Sequence, residues 1–190
     1  QKAAIAETER QRRDGPPEAF VPKEWPKSFV PAVATASQAL KAVKWPKEWP
    51  YSDYDFRRED DSADEDFYRQ PRLVYHVDQG YVNALKGHYT EVFPRYPEAR
   101  ILDICSSWVS HYPDEKCWAH VSITGMNETE LSMNQQADDY EVKNLNDDPT
   151  VPYDEASFDV VTCAVSFDYL VKPLEVMREI ARVLRPGGLP

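Results

Sequence analysis

The stretch that decides the fold is Ala99-Arg100-Ile101-Leu102-Asp103-Ile104-Cys105. It is an apolar run with a single acid, a pattern typical of a strand buried on both faces of a parallel sheet. Working outward from it, three further runs rich in β-branched or aromatic residues indicate strands. They cover residues 117–124, 140–143 and 158–164.

Helical patterns separate these strands. Apolar residues spaced by three and four predict a helix from Pro71 through Phe93. Asn127 with Glu130 has the spacing of a capping box and predicts a short helix to about Met133. The clearest helix begins at Pro173 and runs to Leu184, and Pro186-Gly187-Gly188 is interpreted as its stop.

Alternating strands and helices predict an α/β fold, a Rossmann-like and mostly parallel sheet with helices on both faces. The strand that begins at Ala99 is expected to be internal, between the strands near Val121 and Phe158. In such a sheet the ligand site lies beyond the carboxyl ends of the strands.

Composition excludes several classes of protein. The chain has 190 residues and a formal charge of −11, which disfavours generic nucleic-acid binding. No stretch approaches the roughly 20 apolar residues that a membrane-spanning helix needs. The three cysteines, Cys105, Cys117 and Cys163, lack the paired spacing of a zinc site, so we expect no metal and a reducing compartment.

Charge and proline content divide the chain into three parts. Residues 1–50 hold seven prolines, three tryptophans and a net charge of +3, and the tetrapeptide Lys-Glu-Trp-Pro occurs in them twice. We interpret them as an extended Trp/Pro-rich arm, residues 51–66 as an acidic linker, and residues 67–190 as the α/β domain.

The arm is predicted to bind a protein partner through Trp25, Trp45 and Trp49. Large aromatic side chains anchor interfaces, and a neighbouring proline stiffens the backbone that carries each of them. Two alternatives stay open: the arm is a solvated leader, or it folds back on the acidic surface of its own domain.

Four segments together carry a family resemblance. They are Phe67–Arg72 with His76, Ile101–Pro113, Gly125–Asn127, and Phe158–Leu170 followed by Arg182-Val-Leu-Arg-Pro-Gly-Gly188. In order and spacing the chain resembles class I S-adenosylmethionine-dependent methyltransferases, specifically the type 11 branch of cyanobacteria, algae and plants. The resemblance implies S-adenosylmethionine as cofactor and a chloroplast location.

The resemblance also implies a set of cofactor-binding residues. Asp103 matches the acid at the end of the first strand, and Cys105, Ser106 and Ser107 replace the usual glycines. Ser107 and Trp108 are then donors to the methionine carboxylate. Asn127 matches the acid that holds the ribose hydroxyls, and Asn127→Asp is expected to tighten binding. Asn144 and Leu145 match the adenine contact, and Ala164 to Ser166 a methionine contact. No residue is assigned a catalytic role, although Asp168, Tyr169 and His111 fall at this edge.

Two functional hypotheses remain. The chain is an S-adenosylmethionine-dependent methyltransferase of unknown acceptor, or it is a catalytically inactive accessory subunit of a larger chloroplast assembly, docked through its arm and peripheral to a membrane at most. Because the family continues past Pro-Gly-Gly with a fifth strand and a hairpin, the domain is expected to lack its last strands. The chain is then either a fragment or a truncated domain.

Overall fold

The computed structural model describes residue 41 and residues 46–190. The chain divides into two units, Gln1–Asp55 and Phe56–Pro190. In the described part of the first unit, the rings of Trp49 and Tyr51 pack edge to face with 5.1 Å between their centroids. The predicted arm lies mostly outside the described residues, as do Trp25 and Trp45.

The second unit contains alternating helices and strands. Its helices are α1 (Asp64–Phe67), α2 (Gln79–Val92), α3 (Glu128–Ser132) and α4 (Pro173–Val183). Its strands are β1 (Ala99–Asp103), β2 (Trp118–Gly125), β3 (Asp139–Val142), β4 (Phe158–Thr162) and β5 (Leu184–Leu189). Short 3-10 turns occur at Asp53–Phe56, Phe93–Arg95 and Phe167–Tyr169. No helix among the described residues has the length and apolar character needed to cross a bilayer.

The five strands form one parallel sheet in the order β3-β2-β1-β4-β5. At its centre, Ile101 of β1 is paired with Val121 of β2 on one side and with Val160 of β4 on the other. This confirms the predicted Rossmann-like α/β fold and the internal position of the strand that begins at Ala99.

The two faces of the sheet carry separate cores. Ile101 belongs to a cluster that includes Tyr89 and Phe93 at the end of α2. Its neighbour Leu102 belongs to a second cluster that includes Val176 and Ile180 of α4. Successive side chains of a strand point to opposite faces, so β1 is covered by packing on both sides. This explains why its sequence is apolar almost throughout.

Helix α2 begins later than predicted, so the expectation of a helix is wrong for residues 71–78. Asp78 is the N-cap residue, and its Oδ1 accepts from the Tyr81 N–H at 2.8 Å. The preceding segment uses its backbone groups elsewhere: the Arg72 N–H donates to Glu130, and the Val74 carbonyl accepts from the Trp108 indole. These tertiary hydrogen bonds favour an extended path over a further helical turn.

The acidic segment is more structured at its end than a solvated linker would be. Asp64 begins α1 and is only 6% exposed. Its carboxylate pairs with Arg58 and accepts from Asn146 Nδ2 at 3.0 Å. A buried carboxylate needs such partners to offset the loss of hydration. The boundary of the folded unit therefore lies before residue 67.

The segment Pro186-Gly187-Gly188 does more than stop a helix. It lies inside β5, which pairs with β4 at Leu184↔Phe158 and Leu189↔Val160 with an irregularity between. A Cβ at Gly188 would lie 2.9 Å from the Asp159 carbonyl oxygen, so glycine is needed for this close approach. The expectation that no fifth strand would be present is corrected: β5 completes the described sheet beside β4.

Candidate functional site

A cavity of about 320 Å³ opens at the carboxyl ends of the central strands. Its walls come from the loops after β1, β2, β3 and β4 and from the segment that precedes α2. Parallel strands bring the loops at their carboxyl ends to one edge of the sheet, which is where ligands bind in this architecture. The volume lies at the lower end of the range for small-molecule sites.

Eight of the nine sequence-predicted cofactor residues line this cavity. They are Asp103, Ser106, Ser107, Trp108, Asn144, Leu145, Ala164 and Ser166. The resemblance therefore identified residues that the fold brings together from three different strand ends. Trp49 belongs to the other unit and is 50% exposed.

Asn127, the ninth residue, does not line the cavity, and both polar atoms of its side chain are engaged within the protein. Its Oδ1 accepts from the Glu130 N–H at 3.2 Å, as the N-cap of α3. Its Nδ2 donates to the Tyr68 carbonyl at 2.8 Å. A carboxylate in this position would lose that donor and face a carbonyl oxygen. The structure thus removes the basis for expecting tighter binding in Asn127→Asp.

Asp103 ends β1 within a buried hydrogen-bond chain. Its two carboxylate oxygens accept from the hydroxyls of Thr162 and Ser106, each at 2.7 Å. The Tyr112 hydroxyl lies 2.6 Å from that of Thr162. Burial raises the pKa of Asp103, and the two hydroxyl donors offset part of that rise. These contacts fix the carboxyl group at the floor of the cavity.

The loop after β1 passes very close to the end of β2. The Ser106 N–H donates to the Thr124 carbonyl at 2.7 Å. A Cβ on Gly125 would lie 2.2 Å from the Ser106 carbonyl oxygen, which is sterically forbidden. Within the described part of the chain, no acceptor bonds the backbone N–H of Ser107 or Trp108. These two donors are available to a ligand in the cavity.

Three residues around the cavity have left-handed backbone conformations. The φ angles are 53° at Cys105, 57° at His111 and 63° at Val165. Residues other than glycine rarely adopt this region, least of all a β-branched one, and such strain concentrates at functional sites. Cys105 occupies a position where the resemblance places a glycine, and the backbone there keeps a conformation that glycine adopts most readily.

An aromatic wall closes one side. The Tyr75 ring lies 5.1 Å from that of Trp108 and 5.5 Å from that of His111, centroid to centroid. The Trp108 Nε1–H donates to the Val74 carbonyl at 3.2 Å, which fixes the indole. Burial, and then the charge of Lys86, lowers the pKa of His111 below 6.5. The imidazole is therefore uncharged at neutral pH.

Two thiols lie just beyond the ends of neighbouring strands. Cys105 follows β1 and Cys163 follows β4, and both are free and partly buried. A hydrogen bond with Cys105, and then burial, raises the pKa of Cys163. The Cys163 thiol is therefore protonated and unreactive at neutral pH.

Glu130 is the residue of this site that the sequence interpretation missed. The capping-box spacing predicts that its carboxylate reaches back to the N-terminus of α3. Instead it extends to the cavity wall, where Oε1 accepts from the Arg72 N–H and Oε2 from the Ser107 hydroxyl, both at 2.6 Å. The capping motif was correct for Asn127, but only the tertiary fold shows where the Glu130 side chain lies.

One protein-family model matches a part of the chain. The methyltransferase domain model Methyltransf_11 matches residues 102–189, a segment that runs from β1 through β5. The described sheet is parallel and has helices on both faces, as in Rossmann-like folds. The chain has no match among curated proteins.

Several solved structures are similar to this chain. A protein described as the [4+2]-cyclase SpnF is 20% identical over 60% of this chain and 47% of its own, with a TM-score of 0.47. An S-adenosylmethionine-dependent methyltransferase from Mesorhizobium loti is 18% identical over 54% and 48% of the two chains, with a TM-score of 0.42. This chain spans about half the length of these structures.

Proposed function

We propose that the cavity binds S-adenosylmethionine and that the chain is a methyltransferase of the type 11 branch. The observation that carries this proposal is the convergence of eight predicted cofactor residues on one cavity at the carboxyl ends of β1, β3 and β4. The family match over residues 102–189 supports the same class of activity. The methyl acceptor is not defined by these residues.

The residues present fit such a ligand. S-adenosylmethionine carries a sulfonium and an ammonium group, and the cavity contains the carboxyl groups of Asp103 and Glu130. The backbone N–H groups of Ser107 and Trp108 would hold its carboxylate. Asn144 and Leu145 would contact the adenine, and the backbone from Ala164 to Ser166 the methionine chain. When bound, the cofactor supplies an activated methyl group.

The demands on the protein are then mainly positional. Methyl transfer requires an acceptor held in line with the methyl group, and closeness alone supplies a large part of the rate. Tyr75 and Trp108, whose ring planes are tilted by 33°, offer an aromatic wall for the acceptor. His111 is uncharged at neutral pH and lines the same cavity, so it is able to take a proton from an acceptor.

Calorimetry with S-adenosylmethionine and S-adenosylhomocysteine tests the proposal. We expect the full chain to bind both ligands. We expect Asp103→Asn to weaken binding of S-adenosylmethionine about tenfold or more, as for loss of a charged group at a site. Asp159→Asn is the matched control: Asp159 lies in β4, pairs with Arg185 and does not line the cavity. No binding by the folded wild-type chain would overturn the proposal.

A second candidate is an accessory subunit on the same fold, docked to a protein assembly through residues 1–50. The observation in its favour is the arm itself, with its three tryptophans and net charge of +3. The neutral Asn127, committed to Tyr68 and Glu130, also departs from the family pattern. A chloroplast location is part of this proposal and rests on the resemblance alone.

A further inference from the structure

Two thiol groups follow neighbouring strands at the carboxyl edge of the sheet. Cys105 comes after β1 and Cys163 after β4. These strands are paired, with Asp103 opposite Thr162, and the Ile104 N–H donates to the Thr162 carbonyl at 2.9 Å. Both cysteine side chains pack against the same core cluster, the one on the α4 face of the sheet. The two sulfur atoms therefore lie on the same face, at the ends of adjacent strands.

The backbone at Cys105 is what brings its side chain to this face. Successive side chains of a strand alternate between the two faces. Ile104 belongs to the cluster on the α4 face, so a regular strand would turn Cys105 to the other face. Cys105 instead has the left-handed φ of 53°, and it packs on the α4 face beside Cys163. This conformation is unfavourable for a residue other than glycine, and strain of this kind concentrates at functional sites.

The two thiols differ in their access to the cavity. Cys105 lines the cavity, whereas Cys163 is not among its described lining residues. A reagent that enters the cavity therefore meets Cys105 first. The Cys163 thiol is hydrogen-bonded with Cys105 and is unreactive by itself at neutral pH. Its available reaction is with a group that is already attached to Cys105.

We propose that Cys105 and Cys163 are a redox-active pair that a low-molecular-weight disulfide, such as oxidised glutathione, converts into an intramolecular disulfide, which lowers the affinity of the cavity for its ligand. First, the Cys105 sulfur attacks one sulfur of oxidised glutathione, and one glutathione leaves with the Cys105 proton. The Cys163 sulfur then attacks the Cys105 sulfur of this mixed disulfide, and the second glutathione leaves with the Cys163 proton. Two protein thiols are oxidised while one glutathione disulfide is reduced to two thiols.

The first step prepares Cys163 for the second. The pKa of Cys163 is raised above all by its hydrogen bond with Cys105. A sulfur in a mixed disulfide is uncharged and a weak acceptor, so this hydrogen bond weakens and the pKa of Cys163 falls toward its ordinary value. The Cys163 thiol is also already beside the sulfur that it attacks, and such proximity raises the rate of the step.

The disulfide alters the wall of the cavity. Bonded sulfur atoms are about 2.05 Å apart, closer than the sulfur atoms of two hydrogen-bonded thiols. Bond formation therefore draws the loop after β1 toward the loop after β4. The first loop carries the N–H groups of Ser107 and Trp108, and the second carries the backbone from Ala164 to Ser166. The effect on affinity rests on the proposed function, since the ligand is that of the proposed cofactor site.

Peptide mapping by mass spectrometry tests whether the disulfide forms. The reduced full chain is incubated with oxidised glutathione, alkylated and digested without reduction. We expect a peptide pair linked through Cys105 and Cys163, with two of the three free thiols lost. Cys117 packs against the core cluster on the other face, so Cys117→Ser is the matched control and should form the same link. Absence of this link in the treated wild-type chain would overturn the inference.

Two variants test the order of the steps. Cys163→Ser should stop at the mixed disulfide and retain one glutathione on Cys105. Cys105→Gly, in which glycine suits the left-handed backbone, should leave Cys163 unmodified. Glutathione on Cys163 of folded Cys105→Gly, or none on Cys105 of folded Cys163→Ser, would overturn the assignment of Cys105 as the first nucleophile.

Calorimetry with S-adenosylhomocysteine tests the effect on the cavity. We expect the oxidised chain to bind this ligand about tenfold more weakly than the reduced chain, as for loss of a hydrogen bond to a charged group. Dithiothreitol should restore the affinity. Equal affinities of the two forms would overturn the effect of the disulfide on the cavity. Failure of the reduced chain to bind would overturn the proposed function, while peptide mapping still decides whether the disulfide forms.

Discussion

At the scale of single residues, the absence of one Cβ decides how the cavity is built. Gly125 ends β2, and the loop after β1 passes directly over it. This glycine is required for space, not for backbone conformation, since its φ is not in the left-handed region. From the sequence, Gly125 is only a glycine that follows a predicted strand. Its contact with Ser106 results from the pairing of β1 with β2.

We predict that Gly125→Ala destabilises the protein by about 3 kcal/mol, because the new methyl group collides with backbone that is itself hydrogen-bonded to β2. Gly87→Ala is the matched control. Gly87 lies inside α2 with no atom within 4 Å of the position of a Cβ, so alanine should stabilise by about 0.5–1 kcal/mol. Urea unfolding measures both changes. Equal stability of wild type and Gly125→Ala would contradict the geometry of this loop.

His111 makes the stability of the protein depend on pH. Its pKa is lowered in the folded state by burial and by Lys86, so between that pKa and 6.5 the unfolded chain binds more protons. Stability therefore falls as pH drops through this window, and the contribution of His111 is complete above it. The variant His111→Asn serves as the comparison, because asparagine tolerates the left-handed conformation at position 111 and its side chain does not titrate.

We therefore predict that wild-type protein loses more unfolding free energy between pH 7 and pH 5 than His111→Asn does. Urea unfolding at pH 5, 6 and 7 gives the two slopes, and groups common to both proteins cancel in the difference. A direct check is the NMR titration of the His111 ring, whose midpoint should lie below 6.5. Parallel slopes together with a midpoint at or above 6.5 would refute the prediction.

At the scale of elements, α4 shows which of its regularly spaced apolar residues pack against the sheet. Its apolar residues recur at helical spacing, and Val176, Ile180 and Val183 are the ones that the sheet buries. Val176 is 1% exposed, whereas the adjacent Met177 is 44% exposed. The sequence pattern predicts the helix correctly but gives its apolar face as Leu174, Met177, Ile180, Ala181 and Leu184, and of these only Ile180 is buried.

We predict that Val176→Ala costs about 2 kcal/mol, from the lost burial of two methyl groups and the cavity that they leave. Met177→Ala should change stability by less than about 0.5 kcal/mol, as substitutions at exposed helix positions usually do. Thermal and urea unfolding of the two variants compare neighbouring positions on one helix. Similar losses in both would mean that α4 packs on a different face.

At the scale of the whole molecule, the predicted and the observed starts of the α/β domain differ by eleven residues. The sequence placed the start of the α/β domain at Phe67, and the contacts of the structure place the start of the second unit at Phe56. Asp64 explains the difference, because its buried pair with Arg58 ties the end of the acidic segment to the domain. The behaviour of residues 1–50 is still a prediction from composition.

We predict that limited proteolysis of the isolated chain removes the arm and leaves a core that begins between Phe56 and Phe67. Its basic and proline-rich sequence lacks the periodicity of a helix or strand that would join the sheet. Mass spectrometry identifies the new N-terminus. In the assembly recovered from native extract the same cleavage should be slower. An arm that resists protease in the isolated chain would refute docking through residues 1–50.

Most residues of the candidate site were predicted from the family resemblance. Asp103 and the loops at residues 106–108, 144–145 and 164–166 lie at or just after the ends of segments that the sequence predicts as strands. Their meeting then follows from the parallel order of those strands. Glu130 could not be assigned in this way. Its capping-box spacing predicts a bond within its own helix, while its partners, Arg72 and Ser107, lie 58 and 23 residues away.

The sequence by itself determined the class of fold, the central strand and the edge of the sheet where a ligand site forms, because these depend on hydrophobic period and strand order. Three features are defined only by the tertiary structure. They are the position of the Glu130 carboxylate in the cavity wall, the steric requirement for glycine at position 125, and the location of Pro186-Gly187-Gly188 within a strand. Each of these depends on an approach between segments distant in the chain. Such approaches are set by the packing of the whole unit, and local propensity does not encode them.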